Sequence, residues 1–229
     1  GLQDFQPSRE NKAVKTLKES FLATGRLDAE YYQPKYEDYA RLIHNYSNGF
    51  ALLKNTCNLK DSNVIPLDNE TYAYIELSDI GNSGNITGCM NAKGVELPSR
   101  ARRLVRTKDV IISSIEGSLN SCALITEEYD KALCSTGFYV INSEIINDET
   151  LLVLFKSEPM QHLLKQSCSG TILTAINKTE FLHLPIPLVD SAVQQEIAAL
   201  IKKSFSLRRK SERLLSDAKE MVEREIERG

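Results

Sequence analysis

The sequence predicts an α+β fold, in which a mixed or antiparallel sheet carries short helices and is followed by one long C-terminal helix. Three observations predict this class. Short β-like runs separated by glycines fill residues 50–142, helical periodicity flanks them on both sides, and the last forty residues follow the pattern of a single helix. The gaps between the β-like runs are too short to hold a helix, which favours a mixed sheet over a doubly wound parallel one.

The N-terminal residues, 1–25, are predicted to form a helical arm. Apolar side chains spaced as on one face of a helix extend over residues 8–22, and Gly25 follows as a terminator. The apolar positions are Val14, Leu17 and Phe21.

Residues 34–46 are predicted to form a second helix. It begins at Pro34, because proline is favoured in a first helical turn, and it ends before the turn at Asn48–Gly49. The pattern then changes to short runs of alternating or β-branched residues, with glycines between them. The predicted strands are Tyr72–Leu77, Arg103–Arg106, Val110–Ile115, Ala123–Thr126 and Phe138–Ile141.

Helical signals return after residue 146. Asn147 or Asp148 is predicted to cap one helix, and Pro159 lies in the first turn of the next. Ser167–Thr171 is predicted to be a tight loop, and Asn177 is predicted to cap a single helical turn.

The last predicted element is one long helix, residues 189–229, which begins at a cap formed by Asp190 and Ser191. At about 1.5 Å per residue it would be roughly 55 Å long. Its apolar residues recur in a two-per-seven stripe, which is the width of a coiled-coil seam. The seam residues are Val193, Ile197, Leu200, Leu207, Leu214 and Met221. We expect this helix to pair with that of a second copy in a homodimer, and the alternative is a lone surface helix packed on its own domain.

The charged residues are distributed unevenly along the chain. The 229 residues are 41% hydrophobic and 26% charged, as in globular proteins, and the net charge of −3 taken alone argues against a nucleic-acid partner. However, six basic residues and one acid lie between Lys93 and Lys108, whereas Asp61–Asp79 holds five acids and no base. A local basic patch on an acidic body is compatible with binding phosphates at one place.

The five cysteines stand far apart without a CxxC pair, which favours reduced thiols over a disulfide framework or a structural zinc site. No apolar run reaches the roughly 18 residues that a membrane span needs, and no secretory signal opens the sequence. We therefore expect a cytoplasmic protein with no membrane partner.

Several short motifs resemble, in their order and spacing, the target-recognition domain of type I restriction-modification specificity subunits. They are Arg26–Pro34 (RLDAEYYQP), Ile75–Gly81 (IELSDIG), Asn85–Ile86, Asp109–Ser113 with Gly117, and Ser135–Phe138. Four later pieces resemble the end of that domain and its spacer helix: Ser169–Thr171, Ile176, Leu184–Leu188 and Gln195–Ile197. The resemblance covers residues 26–228 and lies in the combination of these pieces, since no single one is specific.

This resemblance implies a DNA target-recognition domain at residues 26–188 and a spacer helix that pairs antiparallel with another, so that two recognition domains stand a fixed distance apart on a bipartite target. It implies double-stranded DNA, DNA methyltransferase subunits and a restriction/translocase subunit as partners, in a bacterial or archaeal cytoplasm. A full-length family member has two recognition domains and two helices, whereas this chain has one of each. It is therefore predicted to be a half-length specificity subunit. The alternative is a specificity domain excised from a fused methyltransferase-restriction protein.

Phosphate contacts need Arg or Lys, and base reading needs these or Asn, Gln, Ser and Thr on loops that enter a groove. The predicted DNA-contacting residues are Lys93, Arg100, Arg102, Arg103 and Arg106 in the basic segment, Ser118 and Asn120 in a turn, and Ser169, Thr171 and Lys178 around a glycine loop. If the basic segment is extended, Arg100 and Arg102 face one way and Arg103 the other. Solvated surface charge and ordinary turn chemistry are the alternative interpretations.

The sequence lacks a phosphate-binding P-loop, a dinucleotide loop and a nucleophile elbow, and its histidines are scattered. We therefore predict no catalytic residue, no metal and no cofactor. Two other classes stay open. A small nuclease would use scattered acids such as Asp79, Glu96 and Asp109 around a metal ion. A coiled-coil adaptor would use the long helix and leave the basic residues without a role.

Overall fold

A computed structural model of the chain describes residues 12–170 and 174–228. The chain divides into two compact units, one that ends at Val189 and one that begins at Asp190. The helices are α1 (Phe21–Thr24), α2 (Pro34–His44), α3 (Leu53–Thr56), α4 (Asp148–Lys156), α5 (Glu158–Gln166), α6 (Lys178–Leu182) and α7 (Ser191–Arg228). The strands are β1 (Phe50–Leu52), β2 (Asn58–Lys60), β3 (Thr71–Ile75), β4 (Met90–Lys93), β5 (Ala101–Leu104), β6 (Val110–Ser113), β7 (Cys122–Leu124), β8 (Leu133–Ser135), β9 (Phe138–Asn142), β10 (Cys168–Ser169), β11 (Ala175–Ile176) and β12 (Pro185–Pro187).

Two four-stranded sheets form the body of the first unit. One has the strand order β2–β9–β6–β7 and is antiparallel, whereas the other has the order β4–β3–β8–β5 and contains the parallel pair β3–β8. Apolar side chains from both sheets meet in one buried cluster that includes Ile75, Ile111 and Phe138. Each large apolar side chain buried there stabilises the fold by roughly 1.5–3 kcal/mol. The predicted α+β class with a mixed sheet is confirmed.

The two sheets end together at one end of the body. Ser113 at the end of β6 pairs with Phe138 at the start of β9, and Ala101 at the start of β5 pairs with Ser135 at the end of β8. A two-residue turn joins β8 to β9, so the ends of the two sheets lie side by side.

Two further segments reach the same end. Strand β2 runs antiparallel to β9 and therefore finishes toward the start of β9. The hairpin β10–β11 docks on the end of β6, because Glu116 N donates to Thr174 O at 3.0 Å and Ile176 N donates to Ser114 O at 2.8 Å. We call this surface the loop end. Its described residues are 61–63, 99–102, 113–121, 135–138, 168–170 and 174–176.

Arg26 holds the base of the β10–β11 hairpin. Its guanidinium pairs with both carboxylate oxygens of Asp28, at 2.8 and 2.6 Å, and lies 4.3 Å from the centre of the Tyr31 ring. It also donates to the carbonyls of Gln166 and Cys168, at 3.2 and 2.8 Å. These carbonyls end α5 and begin β10, so the arginine satisfies acceptors that a helix C-terminus leaves unpaired. Through Arg26, the RLDAEYYQP motif therefore acts as a structural clasp, which means that it fixes the end of α5 and the start of β10.

We expect Arg26→Gln to lower the free energy of unfolding by about 2 kcal/mol, because the ion pair, the ring contact and part of the hydrogen bonding are lost. Urea denaturation of the purified chain measures this loss. The matched control is Arg41→Gln, since Arg41 is exposed and pairs with Asp38 on its own helix, and its replacement should cost less than about 0.5 kcal/mol. Equal losses in the two variants would show that Arg26 is not a clasp.

Asp109 is a buried carboxylate that joins three segments of the body. Its side chain is 2% exposed and accepts from Lys60 Nζ at 2.7 and 2.9 Å, from Asn142 Nδ2 at 3.2 Å and from the backbone N of Arg106 at 2.8 Å. These donors satisfy the buried charge, as a stable interior requires. In the described part of the chain, no group of three or more His, Cys, Asp or Glu is placed to hold a metal ion.

The N-terminal helix differs from its prediction. Residues 1–11 lie outside the described residues, residues 12–16 have no regular structure, and only α1 is helical. Val14 and Leu17 are 83% and 62% exposed, so no packing surface stabilises a helix there, and short helices do not form on propensity alone. Gly25 does end the helix, with a φ of 73° that glycine adopts without strain.

Most helix limits predicted from capping residues are confirmed. The side chain of Asn147 accepts from Thr150 N at 2.8 Å, and that of Asn177 accepts from Glu180 N at 2.9 Å. The oxygen of Asp190 accepts from Ala192 N at 2.8 Å at the start of α7. None of the described helices combines the length and apolarity that crossing a bilayer requires.

The sheet was predicted less completely. Four predicted strands correspond to β3, β6, β7 and β9, and the predicted strand at 103–106 begins at Ala101 instead. Strands β1, β2, β4 and β8 were not predicted, because each is only three or four residues long, and β1, β2 and β8 pair with segments far away in sequence. The expected tight loop at 167–171 contains β10.

Candidate nucleic-acid interface

The structure separates the basic segment into two groups. Lys93 ends β4 opposite Thr71, whereas Ala101 starts β5 opposite Ser135, and β4 and β5 are the two edges of their sheet. Lys93 and Ala101 are therefore roughly 14 Å apart across the strands and roughly 16 Å apart along them, from standard strand dimensions. Charges that are dense in the sequence do not form one patch.

Lys93 and Arg106 lie at the end of the body opposite the loop end. Arg106 follows β5 and forms an ion pair with Asp130 at 3.7 Å. Lys93 is exposed, and no acidic partner lies within ion-pair distance of it among residues 12–170 and 174–228. These two predicted DNA contacts are not brought together with the others.

Arg100 and Arg102 lie at the loop end. The carbonyl of Arg100 accepts from Thr136 N at 3.0 Å, which ties it to the β8–β9 turn, and its side chain is exposed. The Nε of Arg102 donates to Ser99 O at 3.0 Å. Within the described ranges no carboxylate pairs with either guanidinium, so both are available to phosphates.

Arg103 differs from these two arginines because a β-bulge interrupts the strand between Ala101 and Arg103. Arg103 pairs with Cys134, and its guanidinium donates to Lys60 O at 3.4 Å on β2 of the other sheet. Its Nε is buried and has no hydrogen-bond partner among the described residues. Arg103 therefore faces the space between the sheets and is the least available of the three arginines.

Lys178 is brought to the loop end by an ion pair with Asp61, the residue after β2. The hydrogen bond from Lys178 holds the pKa of the Asp61 carboxyl below its usual value. The lysine thus lies beside β2 and Arg103, away from the glycine loop with which it was grouped in the sequence.

The turn after Gly117 and the β10–β11 hairpin are neighbours, since both adjoin residues 114–116. Ser118 Oγ lies 2.8 Å from Ser113 Oγ, so this hydroxyl is used within the turn. Asn120 is exposed at the tip, and Ser169 is exposed on the hairpin. Thr171 lies outside the described residues.

A cavity of about 340 Å³ opens beside this turn. It is lined by residues 116–120 and, from helix α5, by Glu158, Gln161, His162 and Lys165. The sequence did not point to two side chains at this place. Thr136 is exposed in the β8–β9 turn, and Lys156, whose pKa is lowered by burial, reaches Asn120 from the end of α4. Thr136 lies within the Ser135–Phe138 motif, whereas no sequence pattern marks Lys156, because it acts through a contact with a distant segment.

Helix α7 exposes five of its six predicted seam residues in the single chain, and the sixth, Ile197, is half-buried. Leu200, Leu207, Leu214 and Met221 are 67%, 57%, 57% and 69% exposed, and Val193 is 44% exposed. Contiguous exposed apolar side chains on a helix indicate an interaction surface.

A second apolar stripe, which the sequence analysis did not identify, lies beside the seam. Leu215, Val222 and Ile226 are 59%, 59% and 73% exposed. With 3.6 residues per turn, the two stripes together span about 140° of the helix circumference, from Met221 on one side to Ile226 on the other. This arc is wider than a two-per-seven seam, so it has room for two neighbouring helices.

Comparison with known proteins gives a consistent result. Residues 43–214 match the family model described as the type I restriction modification DNA specificity domain. One similar solved structure comes from work on complex assembly and conformational transition of the type I R-M system. Its sequence is 26% identical to this chain and its TM-score is 0.57, over 74% of this chain and 45% of that one. The HsdS subunit of Thermoanaerobacter tengcongensis is 25% identical with a TM-score of 0.56, over 72% of this chain and 43% of that one.

No curated protein sequence matches the chain. The chain spans less than half the length of the two solved structures. The family model, in contrast, covers well over half of the chain, from the end of α2 into α7. The chain therefore belongs to the type I restriction-modification DNA specificity domain family.

Proposed function

We propose that the chain is a half-length, DNA-binding specificity subunit of a type I restriction-modification system, which directs methyltransferase and endonuclease subunits to a bipartite target. The observation that carries this proposal is the family match over residues 43–214, a range that includes the whole loop end and more than half of α7. The described residues hold one sheet domain and one long helix, and the chain covers 43% of the related HsdS subunit.

Residues 26–188 act as the recognition domain in this proposal, and the loop end faces the DNA. Arg100 and Arg102 contact phosphates, because their guanidinium groups are free of carboxylates among the described residues. Asn120 and Ser169 are exposed on adjoining loops, as base reading requires. Lys93 and Arg106 act through the longer-range electrostatic field, since they lie at the other end of the body.

Residues 189–229 act as the spacer and dimerisation helix. A two-fold homodimer through the α7 seam has an isologous interface, in which both copies use the same residues. Identical recognition domains related by a two-fold axis bind inverted copies of one half-site. The bipartite target is therefore palindromic.

The wide apolar arc of α7 supports a second partner on the same helix. One side of the arc pairs with the second copy, and the stripe of Leu215, Val222 and Ile226 accepts a helix of the methyltransferase subunit. The restriction/translocase subunit joins through this complex. The chain itself supplies binding and positioning in the cytoplasm, and its partners carry out the chemistry.

Titration of random-sequence duplex DNA with the purified chain, at several salt concentrations and with and without Mg²⁺, tests the proposed class. A DNA-binding subunit binds with an affinity that falls as salt rises and leaves the DNA intact. Mg²⁺-dependent cleavage by the chain alone would instead establish a nuclease. Absence of binding at every salt concentration would contradict the proposal and favour the coiled-coil adaptor.

A further inference from the structure

The turn that carries Asn120 is held by two side chains from the corner between α4 and α5. Lys156 Nζ donates to the backbone O of Asn120 at 2.9 Å and to its Oδ1 at 3.2 Å. Gln161 Nε2 donates to Leu119 O at 3.2 Å. The hydroxyls of Ser113 and Ser118 meet 2.8 Å apart below the turn. Asn120 is thus presented on a backbone that is already ordered before any ligand binds.

The contact with Lys156 fixes the orientation of the Asn120 amide. A lysine ammonium has three donors and no acceptor, so the oxygen of the amide faces it and the NH₂ group faces away. The Nδ2 of Asn120 has no hydrogen-bond partner in the described part of the chain, and the residue is exposed at the loop end. The side chain therefore offers solvent two N–H donors, while its acceptor is occupied.

We propose that Asn120 recognises a base in the major groove as a donor only, and that Lys156 is the positioning residue that sets this polarity. The inference rests on the proposed DNA-binding function and specifies the chemistry of one base contact. Guanine presents two acceptors, N7 and O6, whereas adenine presents the N7 acceptor beside the N6 amino donor. An asparagine whose oxygen is free pairs with both adenine groups. Asn120 matches guanine and leaves the adenine amino group without an acceptor.

The surroundings of Asn120 suit this contact. The exposed Ser169 lies on the adjoining hairpin, and Arg100 lies at the same loop end with a free guanidinium to hold the phosphate backbone. The cavity of about 340 Å³ beside the turn leaves open space next to the asparagine.

Selection from a duplex library with randomised positions, using the full chain and sequencing the bound fraction, tests the proposal. The wild-type chain should show one position where guanine is preferred over adenine by roughly ten-fold, as expected for a bidentate contact. Asn120→Ala should remove the preference at that position alone. Lys156→Met, which keeps the buried stem and frees Oδ1, should shift the preference there from guanine to adenine. Lys54→Met, at an exposed lysine of α3, serves as the matched control and should leave the profile unchanged.

The outcomes separate this inference from the proposed function. A wild-type chain that enriches no sequence contradicts both. A wild-type profile that Asn120→Ala leaves unchanged contradicts the inference alone. A Lys156→Met profile that still prefers guanine at the Asn120-dependent position also contradicts it. Because Asn120 is exposed, Asn120→Ala should fold, and its profile tests the proposal even if Lys156→Met does not fold.

Discussion

Replacing Leu207 and Leu214 together by glutamate is expected to convert the proposed homodimer to a monomer. Each leucine buried in a helix seam stabilises the seam by roughly 1.5–3 kcal/mol. Because the dimer has a two-fold axis, each substitution is present in both copies and its effect counts twice. Four lost leucines and four introduced charges should weaken dimerisation at least about a thousand-fold. Sedimentation velocity at micromolar concentration measures the mass directly, and both residues are 57% exposed in the single chain, so the substitutions spare the fold.

The matched control for this experiment is Arg209→Glu with Ser216→Glu. Both residues are exposed, and helical geometry places them on the side of α7 opposite the seam. This variant should keep the mass of the wild-type dimer. An unchanged mass after the leucine substitutions would contradict the seam assignment, and a monomeric wild-type chain would favour the lone surface helix.

Replacing Arg100 and Arg102 together by alanine is expected to weaken DNA binding roughly thirty-fold at 0.15 M salt. Each phosphate contact contributes close to one unit to the dependence of log K on log salt, so the slope should fall by about two. Fluorescence anisotropy with a labelled duplex at four or more salt concentrations gives both quantities. Both side chains reach solvent at the loop end, and the carbonyls that tie them to Thr136 and Val64 are unaffected by the change.

Two matched variants make this measurement selective. Lys93→Ala with Arg106→Ala removes the same charge from the opposite end of the body and should change the slope by less than about half a unit. Arg103→Ala removes a side chain that lies between the sheets. It should therefore lower the free energy of unfolding and have little effect on the salt slope. Equal slopes for all variants would contradict the assignment of the loop end as the DNA-binding surface.

Local signals predicted the helices well. Pro34 starts α2, Asn147 and Asn177 cap α4 and α6, and Asp190 caps α7, because each of these effects acts within one helical turn. The exception is the N-terminal arm. There the periodic apolar residues have no surface to pack against among the described residues, and periodicity without burial does not stabilise a helix.

The candidate site was predicted only in part, because strand pairing is not local. Lys93 and Arg100 are seven residues apart in the chain, yet two strands separate β4 from β5 in the sheet. The same long-range pairing brings the Asn120 turn next to the hairpin of Ser169, which the sequence treated as separate sets. The contact between Lys156 and Asn120 spans 36 residues and follows no pattern in the sequence.

In the proposed function, this chain selects the DNA sequence on which partner subunits act. Co-expression of the chain with its methyltransferase subunits, followed by genome-wide mapping of methylated bases, tests it most directly. We expect methylation at one bipartite, palindromic motif, and loss of that methylation when Leu207 and Leu214 are both replaced by glutamate. Methylation at the same motif in cells that lack the chain would contradict it.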